Sequence, residues 1–165
     1  GLPVSLSILY VAAARRAGWS ADALNTPGHV LTRIGSDEDH VLIDPFNGGS
    51  PVDPQQLAGL IARSAGPAAH HLAPMSNRSV LVRLLMNQAT RAEQGGNRQR
   101  ALTLFERITT VAPAYRHGWW ERARLESSSG DIAAARASLG AMVETTREPA
   151  LRERIAAALA ALQRS

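Results

Sequence analysis

The sequence predicts an α+β protein: a small unit of one helix and an antiparallel hairpin, followed by an all-α tail of helical repeats. Three observations predict it. Residues 3–17 form an alanine-rich apolar stretch closed by Gly18. Two short β-branched runs, 29–34 and 40–43, are separated by a polar turn. From Asn77 onward the pattern is helical throughout and recurs at a fixed spacing.

Taken in order, the first helix opens with Pro3, which suits a first turn, and with Ser5 and Ser7 as cap-like residues. Ile8, Leu9, Val11, Ala12 and Ala13 supply its apolar surface, and Gly18 ends it as a left-handed cap residue would. The runs His-Val-Leu-Thr-Arg-Ile and His-Val-Leu-Ile follow, joined through Gly35-Ser-Asp-Glu-Asp39, so an antiparallel hairpin is expected. Asp44-Pro-Phe-Asn-Gly-Gly49 breaks the second strand, and residues 53–63 read as a short helix. Trp19 and Phe46 are the large residues expected in the core of this unit. Residues 65–76 are linker-like, which divides the chain into a domain at 1–64, a linker at 65–76 and a helical tail at 77–165.

The tail repeats itself. Gly96-Asn97 is echoed by Gly130-Asp131, 34 residues on (96 to 130), and Leu85, Ala89, Ala101, Phe105 and Ile108 recur as Trp119, Ala123, Ala135, Leu139 and Met142. Each unit reads as a helical hairpin, with glycine at the turn and alanine where helices approach closely. Large residues fill the gap, and Pro113 and Pro149 close the two units. A closing helix at 151–162 carries Ile155, Leu159 and Leu162 on one face.

Composition excludes several functions. With 45% hydrophobic and 19% charged residues the chain suits a folded protein, and no apolar run approaches the roughly 20 residues that span a bilayer. Cysteine is absent, which removes disulfides, thiolate metal sites and a cysteine nucleophile; the expected location is the cytoplasm. The net charge is +4, carried entirely by arginines scattered among glutamates, so no nucleic-acid partner is expected. The chain opens on Gly-Leu-Pro without an initiator Met or a signal-peptide pattern, and the N-terminal part of its first domain is expected to be missing.

Three polar residues stand where a nucleophile, a base and its orienter would be built. Ser5 lies at a helix start, His29 opens the first strand of the hairpin and Asp44 ends the second. Antiparallel pairing is expected to set His29 beside Asp44. Each also has a plain structural use: a cap, a turn residue after Pro-Gly, and a strand-ending Asp-Pro. His40, His70 and His71 suggest a metal site at first sight. Adjacent histidines point apart on an extended chain, and no acidic partner sits nearby at helical spacing, so neither metal nor cofactor is expected. Of Trp119 and Trp120, the first falls on the core position of the repeat and the second on its flank.

The run Gly1-Leu-Pro-Val-Ser-Leu-Ser-Ile-Leu-Tyr10, with Pro27-Gly-His29 and Ile43-Asp-Pro-Phe-Asn-Gly-Gly49, resembles the SirB-type bacterial proteins, over nearly the whole chain. The resemblance implies a transglutaminase-like, papain-like domain followed by tetratricopeptide repeats. It also implies a helix presenting the nucleophile and a sheet presenting a histidine and an aspartate, at positions matched by Ser5, His29 and Asp44. In active members a cysteine starts that helix. Serine is far less acidic, so a site evolved for a thiolate–imidazolium pair need not activate it.

Two functions follow. The first is a non-catalytic protein-binding or scaffold protein, a pseudoenzyme whose repeats hold a protein or peptide partner. The alternative is a serine-dependent acyl transferase or amide hydrolase using Ser5, His29 and Asp44 as a triad.

Overall fold

The computed structural model describes residues 2–26, 30–36, 38–62 and 71–163. The chain divides into two compact units, 1–84 and 85–165. As expected, the architecture is α+β. The described residues comprise one four-stranded antiparallel sheet and seven α-helices.

In the first unit, helix α1 (Leu2–Arg16) buries Val4, Ser7 and Ala14 and half-buries Ile8 and Val11, a stripe at three- and four-residue steps. It ends in Arg15 and Arg16, cations that suit the negative end of the helix dipole. The Gly18 and Trp19 amides then bond back to the Arg15 and Ala14 carbonyls at 3.1 and 3.0 Å. Strands β1 (Ala21–Ala23), β2 (Thr32–Gly35), β3 (His40–Asp44) and β4 (Ser50–Pro51) follow in spatial order β1-β2-β3-β4, every neighbour antiparallel. A short 3₁₀ turn, Pro45–Asn47, separates β3 from β4, and helix α2 (Pro54–Ala62) comes after. Val4, Ala23, Val30 and Val80 form one cluster of the core, with Ile8, Val11, Met75 and Leu84 packed against it.

The expected hairpin is therefore the centre of a larger sheet. β1 and β4 are only three and two residues long, and Ala-Asp-Ala has little strand preference of its own; its strand exists because it pairs with β2. The first expected strand begins later than residue 29, at Thr32, although Val30 and Leu31 before it are both buried. Trp19 and Phe46 correct the expectation of large core residues: they are 62% and 55% exposed. Trp19 falls after the helix has ended, and Phe46 stands on the tight turn after β3. The buried volume of this unit is filled instead by aliphatic residues, with Leu24 and Leu31 the largest fully buried side chains.

Helix α3 (Asn77–Gln94) runs through the division between the units. It is followed by α4 (Arg98–Val111), α5 (Arg116–Ser128), α6 (Ile132–Glu144) and α7 (Pro149–Ala161). The spacing of 34 seen in the sequence is visible in the environments. Gly96 and Gly130 both take positive φ, +75° and +86°. Asn97 and Asp131 both cap the next helix, accepting from the Arg100 and Ala134 amides at 3.0 and 2.9 Å. Ala101 and Ala135 are fully buried, and Phe105 with Ile108 matches Leu139 with Met142 in burial. The prolines do not act alike. Pro113 follows the end of α4, whereas Pro149 opens α7, where its missing amide proton costs nothing.

One polar network is buried among these helices. The Glu126 carboxylate, 3% exposed, accepts from Ser138 Oγ at 2.6 Å and from Arg122 Nε at 2.7 Å, and Arg122 also reaches Thr109 Oγ1 at 3.4 Å. Three helices thus share one satisfied carboxylate. Among the described residues, no helix is long and apolar enough to cross a membrane.

Candidate functional site

Ser5 lies in the opening turn of α1, where backbone N–H groups lack helical partners, and it is half-buried. Ser7, two residues on, is fully buried and donates its hydroxyl to the Val30 carbonyl at 2.8 Å. That bond ties the helix to the segment leading into β2. The stretch before it is anchored too: buried Thr26 donates to the His71 carbonyl at 3.4 Å, while Arg83 donates to the Thr26 carbonyl at 2.9 Å. Burial holds the Arg83 guanidinium below its ordinary pKa. His29 itself lies outside the described residues.

Asp44 ends β3 as the sequence suggests, and its Cα partner is Ser50 on β4. The last β2–β3 pair is Thr32 with Ile43, so Asp44 stands one residue past it. Its Oδ1 accepts the Phe46 amide at 2.9 Å and caps the 3₁₀ turn, while its carbonyl takes the Gly49 amide at 2.9 Å. The turn packs on α1, the helix that carries Ser5. Gly49 shows how closely: with φ at +77°, a Cβ there would stand 2.5 Å from the Tyr10 hydroxyl oxygen. The fold thus packs the turn that follows Asp44 against the helix that carries Ser5.

Beside this arrangement, a cleft of about 310 Å³ opens between α1, β1 and the start of α3, lined by Ile8, Val11, Met75, Val80 and Leu81. Arg15 at its rim is held by Asp22 at 3.1 Å, by Asn77 at 3.2 Å and by the Ala21 carbonyl at 2.9 Å. Asp22 also pairs with Arg33 at 3.0 Å, which locks β1 to β2 across the sheet. Among the described residues no group of three or more His, Asp or Glu could hold a metal ion; His40 is exposed at the start of β3, and His71 is buried. His70 lies outside the described residues.

Comparison with known proteins decides the family. A model of the transglutaminase-like superfamily matches residues 1–86, more than half of the chain. The chain belongs to that superfamily. Two relatives, both named UPF0162 protein, come from Xylella fastidiosa strains 9a5c and Temecula1 / ATCC 700964, at 32% and 33% identity. Each match takes in 68% of this chain and 43% of the relative, so the chain spans less than half the length of the curated relatives it matches. The transglutaminase-like region thus takes in the sheet, α1, α2 and the first part of α3.

The transglutaminase-like region does not include the feature that sequence reasoning missed, a groove between α5 and α7. One cleft of about 340 Å³ is lined by His117, Trp120, Glu121, Met142, Leu151 and Arg154. A second, of about 360 Å³, is lined by Trp120, Ala123, Ser127, Leu139, Ala158 and Leu162 among others. Trp120 belongs to both. On α5 the lining advances from His117 through Trp120 and Arg124 to Ser127, and on α7 from Leu151 through Arg154 and Ala158 to Ala161. Steps of three and four residues define one stripe on each helix. Early residues of both helices share the first cleft and late residues the second, so the helices run parallel with the groove along them. The sequence places Trp120 on the flank of the repeat, a partly exposed neighbour of Trp119; the signal that could have found the groove was the spacing of Trp120 from His117 and Arg124.

Proposed function

We propose that this chain is a non-catalytic protein-binding or scaffold protein. Its transglutaminase-like region acts as a structural support, and helices α3–α7 act as tetratricopeptide-type repeats that hold a protein or peptide partner. The observation that carries this reading is Ser5. The chain has no cysteine, and serine stands at the position matched to the thiol of active transglutaminase-like enzymes. A hydroxyl in a site shaped for a thiolate–imidazolium pair lacks the acidity that such a site exploits.

A further observation supports it. In the tail, equivalent caps and buried residues recur after 34 positions (97 to 131, 101 to 135), the arithmetic of a stacked helical-hairpin repeat. A cytoplasmic location, with neither membrane nor nucleic acid as partner, belongs to the same reading.

The test is partner retention by the full chain. Wild type, Ser5→Ala and Trp120→Ala are immobilised and exposed to bacterial lysate, with circular dichroism confirming that each is folded. The expected result is one set of bound proteins on wild type and Ser5→Ala, and its loss on Trp120→Ala. Loss on Ser5→Ala with retention on Trp120→Ala would contradict the reading.

A further inference from the structure

The two halves of the tail match at a spacing of 34 residues (96 to 130), yet they differ at one buried point. In the second half, Glu126 on α5 meets Ser138 on α6. Oε2 of the carboxylate accepts the Ser138 hydroxyl at 2.6 Å, and Oε1 accepts Arg122 Nε at 2.7 Å. The counterparts of Glu126 and Ser138 in the first half (126 to 92, 138 to 104) are Ala92 and Leu104, both buried and both apolar. Gln88 stands where Arg122 does (122 to 88). At other positions the halves keep like for like: Ala89 with Ala123, Gly96 with Gly130, Ala101 with Ala135. The network is thus a departure from the repeat. It also reaches a third helix, since Arg122 contacts Thr109 Oγ1 of α4 at 3.4 Å while its guanidinium lies over the Trp119 ring, 5.6 Å from the centroid.

A buried network of this kind contributes little net stability. The cost of taking charges out of water offsets their attraction, and well-packed apolar residues of similar volume often serve as well or better. What the network penalises is the wrong neighbour. In a chain of similar hairpins, a helix has more than one apolar face that it fits. Were α4 to take the place of α6, Leu104 would replace Ser138, and the Glu126 carboxylate would be buried without one of its two donors. Were α3 to take the place of α5, Ser138 would face Ala92, a buried hydroxyl without its acceptor. An apolar pair carries no such penalty in either direction. We propose that the Arg122–Glu126–Ser138 network is a register key. It selects α6 as the partner of α5 within one molecule, and it keeps the equivalent helices, of this chain or of a second copy, from exchanging places.

The test compares Glu126→Ala alone with a triple variant, Arg122→Gln, Glu126→Ala and Ser138→Leu, which puts the residues of the first half into the second. Each full chain is followed by urea denaturation, then unfolded, refolded at high protein concentration and sedimented. Glu126→Ala is expected to lower the urea midpoint, because Arg122 and Ser138 lose their acceptor. The triple variant is expected to regain the wild-type midpoint or exceed it. It is also expected to refold to a mixture that includes exchanged dimers, where wild type regains the distribution it had before unfolding. A triple variant that keeps the lowered midpoint would overturn the inference, since the network would then be a plain stabilising contact. One that regains the midpoint and refolds as wild type does would overturn it too, because the apolar residues would specify the packing equally well. If Glu126→Ala does not fold, the midpoint and the refolded species of the triple variant, set against wild type, still decide.

Discussion

At the scale of single residues, the two serines of α1 differ in burial: Ser7 is fully buried and Ser5 half-buried. Ser5 is the serine that the sequence matches to a nucleophile position, and Ser7 donates its hydroxyl to the Val30 carbonyl at 2.8 Å inside the core. Ser7→Ala leaves that carbonyl without its donor, and a buried unpaired group costs about 1–3 kcal/mol. Urea denaturation should show this loss with an unchanged slope, and an unchanged midpoint would mean that water or a neighbour replaces the bond. The sequence marked both serines as cap-like without distinguishing them, because helix spacing says which face a residue occupies only once the packed face is known. His29 and Asp44 were legible as a pair of motifs, Pro-Gly-His and Asp-Pro-Phe, and Asp44 does end its strand. What spacing could not give was register. The β2–β3 pairing closes at Thr32 and Ile43, one residue before Asp44, which pairs with Ser50 on β4 and caps the 3₁₀ turn, while His29 lies outside the described residues. Trp19 and Phe46 failed as core residues for a related reason: size indicates a preference for burial, but both stand just outside the ends of regular elements.

At the scale of elements, legibility followed local punctuation. The tail was readable because its signals are short-range: glycine before an Asn or Asp cap, then alanine at the close approach. The two caps provide a quantitative check of their equivalence. Asn97→Ala and Asp131→Ala should each lower stability by about 1 kcal/mol, as the loss of one cap does elsewhere. Thermal melts that show one cap at full effect and the other at none would contradict the assignment of α4 and α6 as equivalent helices. β1 and β4, by contrast, carry no such signals. Strands of three and two residues are stabilised by their partners, and the Arg15–Asp22–Arg33 network that pins β1 joins residues from three separate elements. The α5–α7 groove was hidden for the same reason, since it depends on which stripe of each helix faces the other.

At the scale of the whole molecule, a transglutaminase-like region and a helical tail share one chain, and the account assigns binding to the tail and support to the region that elsewhere carries chemistry. The nucleophile position decides between this and a serine enzyme. The most direct measurement is labelling of the folded full chain with a fluorophosphonate probe, read by mass spectrometry, with Ser5→Ala and His29→Ala as controls. The account predicts no modification of Ser5 above the level of other exposed serines. Stoichiometric modification at Ser5 that disappears in both controls would contradict it and establish an activated serine.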